Sequence, residues 1–71
     1  MTKERLRELR SEKKLTQVQV AELLGIEKRN YQRLELLDMI PPAKHLVTLA
    51  DFYNVSVDYI LCRTDKREVN R

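Results

Sequence analysis

An all-α domain of five helices is the fold that this 71-residue sequence predicts. Apolar residues recur at helical spacing through most of the chain, and the good helix formers Leu, Glu, Lys, Arg and Gln are abundant. A single glycine and two prolines are too few to suggest an all-β or a disordered chain. We expect one domain over residues 1–65, followed by a flexible charged tail over residues 66–71.

The first two helices are predicted from apolar spacing and from capping residues. The first begins at Thr2, a candidate N-cap, and continues to about residue 13 with two leucines and Arg10 on one face. The second covers about residues 16–24, because Thr16 and Gln19 form a capping-box pattern. Its predicted inward residues are Val20, Ala21, Leu23 and Leu24.

The third helix is predicted over about residues 27–37 and is separated from the second by Gly25, the only glycine. Glycine ends helices readily because it adopts positive φ without a Cβ clash. Tyr31 and Leu34 are expected to pack inward. Because "LELLDMIPP" contains no glycine to end the helix, one expectation is that the helix extends toward the proline pair.

Two further helices follow the proline pair. The fourth carries an apolar face and ends near Asn54, a residue that tolerates left-handed geometry. Its predicted inward residues are Leu46, Leu49, Ala50 and Phe52. Ser56 is expected to cap a short fifth helix that contains Val57, Ile60 and Leu61.

Composition excludes several classes of function. The only cysteine is Cys62 and the only histidine is His45, so neither an intramolecular disulfide nor a zinc cluster is expected. No Cys/His dyad, carboxylate pair or phosphate-binding glycine loop indicates an enzyme, and no cofactor or small-molecule ligand is expected. The charged N-terminus and the lack of a long apolar run indicate neither a signal peptide nor a membrane span. We therefore expect a cytoplasmic protein.

The charge distribution separates the two halves of the chain. Residues 1–33 carry nine Lys and Arg against five Asp and Glu, whereas residues 34–62 carry one against four. A basic first half suits a polyanionic partner, although ordinary solvated charge gives the same pattern.

The third helix concentrates donors on one side. At about 100° per residue, Lys28, Arg29, Gln32 and Arg33 fall within an arc of about 140°. Arg and Lys commonly pair with guanine O6 and N7, and Gln pairs with adenine N6 and N7. This face therefore indicates either a DNA-reading helix or a solvated polar surface.

The order of these features resembles a known family. The stretches "LTQVQVAELLGIEKRNYQRLE" and "LVTLADFYNVSVDYILCRTD" make residues 5–65 similar to lambda-repressor-like helix-turn-helix domains of the Cro/C1, or XRE, type. That family consists of phage and bacterial transcriptional regulators. The resemblance implies a sequence-specific protein that binds double-stranded DNA, a repressor that occupies a palindromic operator as a homodimer.

The resemblance also implies roles for individual residues. It makes residues 27–37 the recognition helix, with base-reading positions at Glu27, Lys28, Arg29, Gln32 and Arg33. It makes Gln17 a phosphate contact and a brace for the recognition helix, and Ala21 a small residue beneath the crossing of the two helices. Lys13 and Lys14 are weaker phosphate candidates, with solvation as their alternative role.

Two further implications concern structure and departures from the family. Arg10 is expected to form an ion pair with Glu35 across the domain. Glu27 replaces the usual Ser or Thr cap, so its base-reading role competes with a structural one.

The segment after Glu35 departs further from the family, because it is apolar where a polar turn is usual. Its residues Leu36, Leu37, Met39 and Ile40 are expected either to pack partly beneath the fourth helix or to form a surface for a second copy or a partner. Val57, Ile60 and Leu61 are core candidates and, by resemblance, dimer candidates. Two alternatives therefore stay open: a protein-interaction module, such as an antitoxin or a repressor partner, and the DNA-binding part of a longer chain.

Overall fold

Five short helices make up the regular secondary structure of the computed structural model, which describes residues 1–68. They are α1 (Thr2–Glu12), α2 (Gln17–Leu24), α3 (Lys28–Leu36), α4 (Ala43–Tyr53) and α5 (Val57–Ile60). Residues 1–68 contain no strand, which confirms the predicted fold class. None of these helices is long and apolar enough to cross a membrane.

The start of α1 differs from the prediction in one respect. Thr2 is a buried residue inside the helix, and Met1 occupies the N-cap position. The amino group of Met1 lies 2.8 Å from Asp38 Oδ2, and the backbone N–H of Lys3 donates to Asp38 Oδ1 at 3.4 Å. The assignment of Thr2 as N-cap was therefore wrong, because a carboxylate from the segment after α3 lies at this helix start.

The turn between α2 and α3 follows the sequence signals. Thr16 Oγ1 accepts a hydrogen bond from the Gln19 backbone N–H at 3.1 Å, and Gln19 Oε1 accepts one from the Thr16 N–H at 2.8 Å. Gly25 ends α2 with φ 71° and ψ 30°. Its left-handed conformation lets the N–H of Ile26 reach the carbonyl oxygen of Ala21 at 3.0 Å. The capping box and the helix-ending glycine are both confirmed.

The end of α3 contradicts the expected extension toward the prolines. The helix stops at Leu36, and Leu37 is extended with φ −101° and ψ 143°. Two effects explain this end without a glycine. Asp38 is held at the start of α1, and the residue before a proline, Ile40, is disfavoured in helical geometry.

The last two helices end and begin at the predicted residues. Asn54 is left-handed at φ 57° after α4, and Ser56 Oγ accepts from the Tyr59 N–H at 3.0 Å at the start of α5. The inward face of α4 was partly misassigned. Phe52 is 38% exposed while Tyr53 is buried, so the apolar face is rotated by one residue at its end.

One core joins all five helices. α3 packs against α1 and α2, α4 against α2 and α5, and α1 against α5. The core consists of Leu6, Leu9, Val20, Ala21, Leu24, Tyr31, Leu34, Leu46, Leu49, Ala50, Tyr53, Val55, Tyr59 and Ile60. Leu23 was predicted to face inward but is 39% exposed, because three other α2 residues already fill that side. The opposite side of α3 stays at the surface.

The segment after α5 folds back along α1. The carbonyl oxygen of Arg67 accepts from the Ser56 N–H at 3.0 Å. The Arg67 guanidinium contacts Glu12 and lies 3.3 Å from Glu8 Oε1, and its Nε donates to the Tyr59 hydroxyl at 3.1 Å. Residues 69–71 of the predicted tail lie outside the described residues, and the flexibility of residues 66–71 stays a prediction.

Candidate nucleic-acid interface

The outer face of α3 carries the side chains predicted to read DNA. Lys28, Arg29 and Arg33 are exposed, and Gln32 is half-buried. Leu36 is 70% exposed and, eight residues after Lys28, falls within the same arc of the helix. The face therefore ends in an apolar side chain, which was predicted either to pack beneath the fourth helix or to form a dimer or partner surface.

Glu27 precedes this face and interacts with it. The residue is at the N-cap position, but within the described residues its carboxylate makes no side-chain capping bond. It accepts a hydrogen bond from Arg29 Nε at 3.2 Å, and both side chains are largely exposed. The pair is solvated and therefore weak, so Arg29 can exchange this carboxylate for another acceptor at small cost.

Gln17 links α2 to α3 through its amide. Its Oε1 accepts a hydrogen bond from Gln32 Nε2 at 3.1 Å, and its Nε2 donates to Glu35 Oε1 at 3.3 Å. The bracing geometry implied for Gln17 is therefore present. Gln32, predicted as a base reader alone, is also tied to this brace.

Behind the two amides lies the predicted ion pair. Arg10 Nε and Nη2 donate to the two carboxylate oxygens of Glu35 at 2.7 and 3.0 Å, and Glu35 is 3% exposed. Burial by itself would raise the pKa of the Glu35 carboxyl, but the hydrogen bonds and charge of Arg10, together with the neighbouring Tyr31 hydroxyl and the Gln17 amide, outweigh it and hold that pKa below its ordinary value. Arg10 Nη1 also donates to the carbonyl oxygen of Leu15 at 3.0 Å, so this one guanidinium connects α1, α3 and the start of the α2 segment.

Sequence reasoning missed Arg7, which lies beside this pair. Its Nε and Nη2 donate to the carbonyl oxygen of Glu35 at 3.1 and 2.9 Å. A cation at the C-terminal end of a helix satisfies a carbonyl and opposes the negative end of the helix dipole. The available signal was its spacing, since Arg7 precedes Arg10 by one helical turn.

The two weaker phosphate candidates lie in the connection between α1 and α2. Both are exposed, and Lys14 is left-handed with φ 55°. Lys13 Nζ lies 5.4 Å from the centre of the Phe52 ring. They are separate from the hydrogen-bonded group formed by Gln17, Gln32, Glu35 and Arg10.

The apolar segment 36–40 is a surface feature. Leu36, Leu37, Met39 and Ile40 are exposed by 70, 49, 46 and 69%. The expectation of partial packing beneath α4 was wrong, because it is Pro41 that enters the core. Among the candidates in α5 and at its C-cap, Ile60 is fully buried, whereas Val57 and the C-cap residue Leu61 are half-buried and pack against the core. Ile60 therefore does not contribute to a surface.

Comparison with known proteins adds family evidence. A family model described as "Helix-turn-helix domain" matches residues 3–66. The HTH-type transcriptional regulator YobD of Bacillus subtilis (strain 168) is 52% identical over 62 residues, which is 87% of this chain and 55% of the relative. The HTH-type transcriptional regulator YqaE of the same organism is 39% identical over 61 residues, which is 86% of this chain and 53% of the relative.

The chain thus spans about half the length of these curated relatives. No solved structure matches it at a significant level.

Proposed function

The chain belongs to the helix-turn-helix family of the lambda-repressor-like, or XRE, type, and we propose that it binds double-stranded DNA in a sequence-specific way as part of a transcriptional repressor. In this proposal two copies occupy a near-palindromic operator and block the promoter, which requires no chemistry. The proposed place of action is the cytoplasm, because the similar regulators are bacterial and bacterial DNA lies in the cytoplasm.

The observation that carries the proposal is the exposed cationic face of α3. Lys28, Arg29 and Arg33 point away from the core that Tyr31 and Leu34 anchor. α3 has nine residues, which span about 13.5 Å. The diameter of a helix with its side chains is about 10–12 Å, which fits the major groove of B-DNA, about 12 Å wide.

Within this proposal the side chains divide by the part of DNA they contact. Arg29 and Arg33 are the main base readers, with Lys28, Gln32 and Glu27 at the groove edge. Gln17 contacts a phosphate, and Lys13 and Lys14 contribute weaker phosphate contacts. Phosphate contacts fix the position of the protein on the duplex, whereas base contacts fix the sequence.

Selection of duplexes from a random pool, repeated at two salt concentrations, tests the proposal. A DNA-binding domain enriches a related set of sequences and loses affinity steeply as salt rises. We expect Arg33→Ala to weaken the free energy of binding to the selected operator by about 1–3 kcal/mol and to relax the preference at one base pair. Equal losses on operator and random duplexes would refute the role of Arg33. Failure of the unchanged protein to bind any duplex would refute the proposed function.

A second candidate function is supported by the exposed apolar segment 36–40. Four large apolar side chains at the surface of so small a domain are typical of a protein-binding site. An interaction module on the same fold, such as an antitoxin or a repressor partner, would use this segment without DNA. The selection experiment separates the two functions, because an interaction module alone would enrich no sequence.

A further inference from the structure

The junction of α1, α2 and α3 forms an open cleft beside the reading face, which is the outer face of α3 that carries Lys28, Arg29, Gln32 and Arg33. Its volume is about 360 Å³, and it is lined by Arg7, Arg10, Gln17, Gln32, Glu35 and Leu36. The Arg10 and Glu35 side chains form the innermost contact, and the two glutamine amides connect that contact to the outer face of α3.

The direction of the hydrogen bonds along this connection is fixed by chemistry. An ionised carboxylate only accepts hydrogen bonds, so Gln17 must turn its Nε2 toward Glu35 Oε1, at 3.3 Å. The Oε1 of Gln17 then faces Gln32, which must donate from its own Nε2, at 3.1 Å. A buried carboxylate thereby determines which way two amides point. We call this group, Glu35, Gln17 and Gln32, the amide relay.

Two consequences follow for the outer end of the relay. Each amide has two N–H groups and uses one of them within the relay, so Gln32 keeps its carbonyl oxygen and one N–H for another partner. Adenine donates a hydrogen bond from N6 and accepts one at N7, so it pairs with the carbonyl oxygen and an N–H group of a glutamine amide. Reversal of the Gln32 amide would break its bond to Gln17.

We propose that Glu35, acting through Gln17, holds the amide of Gln32 in the orientation that selects adenine at the base pair facing it. This inference rests on the proposed DNA-binding function and extends it, because it makes Gln17 a positioning residue for base specificity as well as a phosphate contact. A glutamine without such a partner can reverse its amide and loses rotamer entropy when it binds, so it discriminates bases less than a glutamine that is already oriented.

The alternative role of the relay is purely structural, a brace between α2 and α3. Loss of a brace lowers stability and weakens binding to every duplex alike. Loss of an orienting contact changes the preference at one base pair. Base preference in a variant of Gln17, which reads no base itself, therefore distinguishes the two roles.

The experiment measures affinity for the selected operator and for three duplexes altered at each adenine in turn. In the unchanged protein we expect a preference of about tenfold for adenine at one position. Gln32→Ala should abolish it, and Gln17→Ala should reduce it to about twofold at that same position while also weakening all duplexes. Gln17→Met, which keeps the length without the amide, is the second variant if alanine unfolds the domain. Lys14→Ala, a phosphate candidate outside the relay, is the control and should leave the preference unchanged.

The outcomes are distinct. Because Gln17 acts on base preference only through Gln32, adding Gln17→Ala to Gln32→Ala should cause no further change in the adenine preference. If both Gln17 variants lost affinity equally for all duplexes and kept the adenine preference, the relay would be overturned and the DNA-binding proposal would stand. An unchanged adenine preference in Gln32→Ala would have the same consequence. If the unchanged protein bound no duplex, both proposals would fall.

A readout without DNA checks the geometry separately. The side-chain amide signals of Gln32 in a nitrogen–proton NMR spectrum should move in Gln17→Ala, while those of Gln19, in the capping box, should not. Unmoved Gln32 signals would overturn the relay.

Discussion

Glu35 is the residue of α3 on which side chains from α1 and α2 converge. It accepts two hydrogen bonds from Arg10 and one from Gln17, and its own carbonyl oxygen accepts two from Arg7. The carboxylate is buried, so its desolvation cost is offset only while these partners remain. Removing the charge would therefore leave the Arg10 guanidinium without its counter-charge.

We expect Glu35→Gln to lower the free energy of unfolding by about 3–5 kcal/mol, the usual cost of breaking a buried ion pair from one side. Denaturant unfolding at pH 7 measures the difference. The control is Glu4→Gln, whose exposed carboxylate contacts the N-terminal amine and should contribute little. Equal unfolding midpoints for Glu35→Gln and the unchanged protein would contradict the role of the pair.

The same variant has a predicted pH dependence. The folded protein lowers the pKa of Glu35 below its ordinary value, so the stabilisation is complete above the unfolded-state pKa of about 4.3 and is lost as pH falls through the folded-state pKa. The stability gap between Glu35→Gln and the unchanged protein should therefore narrow below about pH 4. A stability difference between the two proteins that stayed constant below pH 4 would contradict the lowered pKa of Glu35.

At the scale of single residues, sequence reasoning recovered the ion pair but not the relay. The partners Arg10 and Glu35 came from resemblance to a family. The Gln17–Gln32 bond depends on the side-chain rotamers of two residues fifteen apart, which no periodicity encodes. Gln32 was therefore predicted only as a free base reader.

At the scale of elements, the turn between α2 and α3 determines how the reading helix is presented. Gly25 has φ 71°, and apart from its two chain neighbours no atom of the described residues lies within 4 Å of the position that a Cβ would take. The cost of a side chain at this position is thus conformational and not steric crowding by neighbours. Left-handed geometry costs an ordinary residue about 1–2 kcal/mol.

We therefore expect Gly25→Ala to reduce the free energy of unfolding by about 1–2 kcal/mol, as measured by urea titration. Gly25→Asn should lose less, because asparagine tolerates left-handed geometry, as Asn54 does after α4 at φ 57°. In both variants the folded fraction should bind the operator with little change, since the turn keeps its shape. An alanine variant as stable as the unchanged protein would show that Gly25 is not needed for its φ.

The sequence predicted both caps of α2, the C-cap of α4 and the N-cap of α5 better than the inward faces of the helices. Thr16, Gly25, Asn54 and Ser56 act through local backbone geometry, which is readable from a few neighbouring residues. Phe52, Leu23 and the end of α3 depend instead on which neighbours already fill the core and on the contact of Asp38 with Met1. These contacts join residues that are distant in the sequence, so local sequence patterns do not predict them.

At the scale of the whole molecule, the reading face and the apolar segment 36–40 are adjacent, because Leu36 ends the first and begins the second. The sequence left two expectations for this segment, exposure at the surface and partial packing beneath the fourth helix. Only the folded structure distinguishes them. The exposed area of four such side chains is a few hundred Å², below the roughly 800 Å² per partner of a stable interface. We expect two copies to associate weakly through this segment in solution and more strongly when DNA holds them side by side.

Leu37→Lys and Ile40→Lys test this expectation. Both side chains are exposed, so a lysine can reach water without disturbing the core, and thermal stability should change little. Charge at the centre of an apolar contact should abolish self-association in analytical ultracentrifugation and weaken operator binding, with loss of cooperativity between half-sites. Val47→Lys is the matched control, because Val47 is exposed on α4 and outside the segment. If both segment variants kept the self-association and cooperativity of the unchanged protein, the two copies would associate through another surface. The segment 36–40 would then bind a different partner.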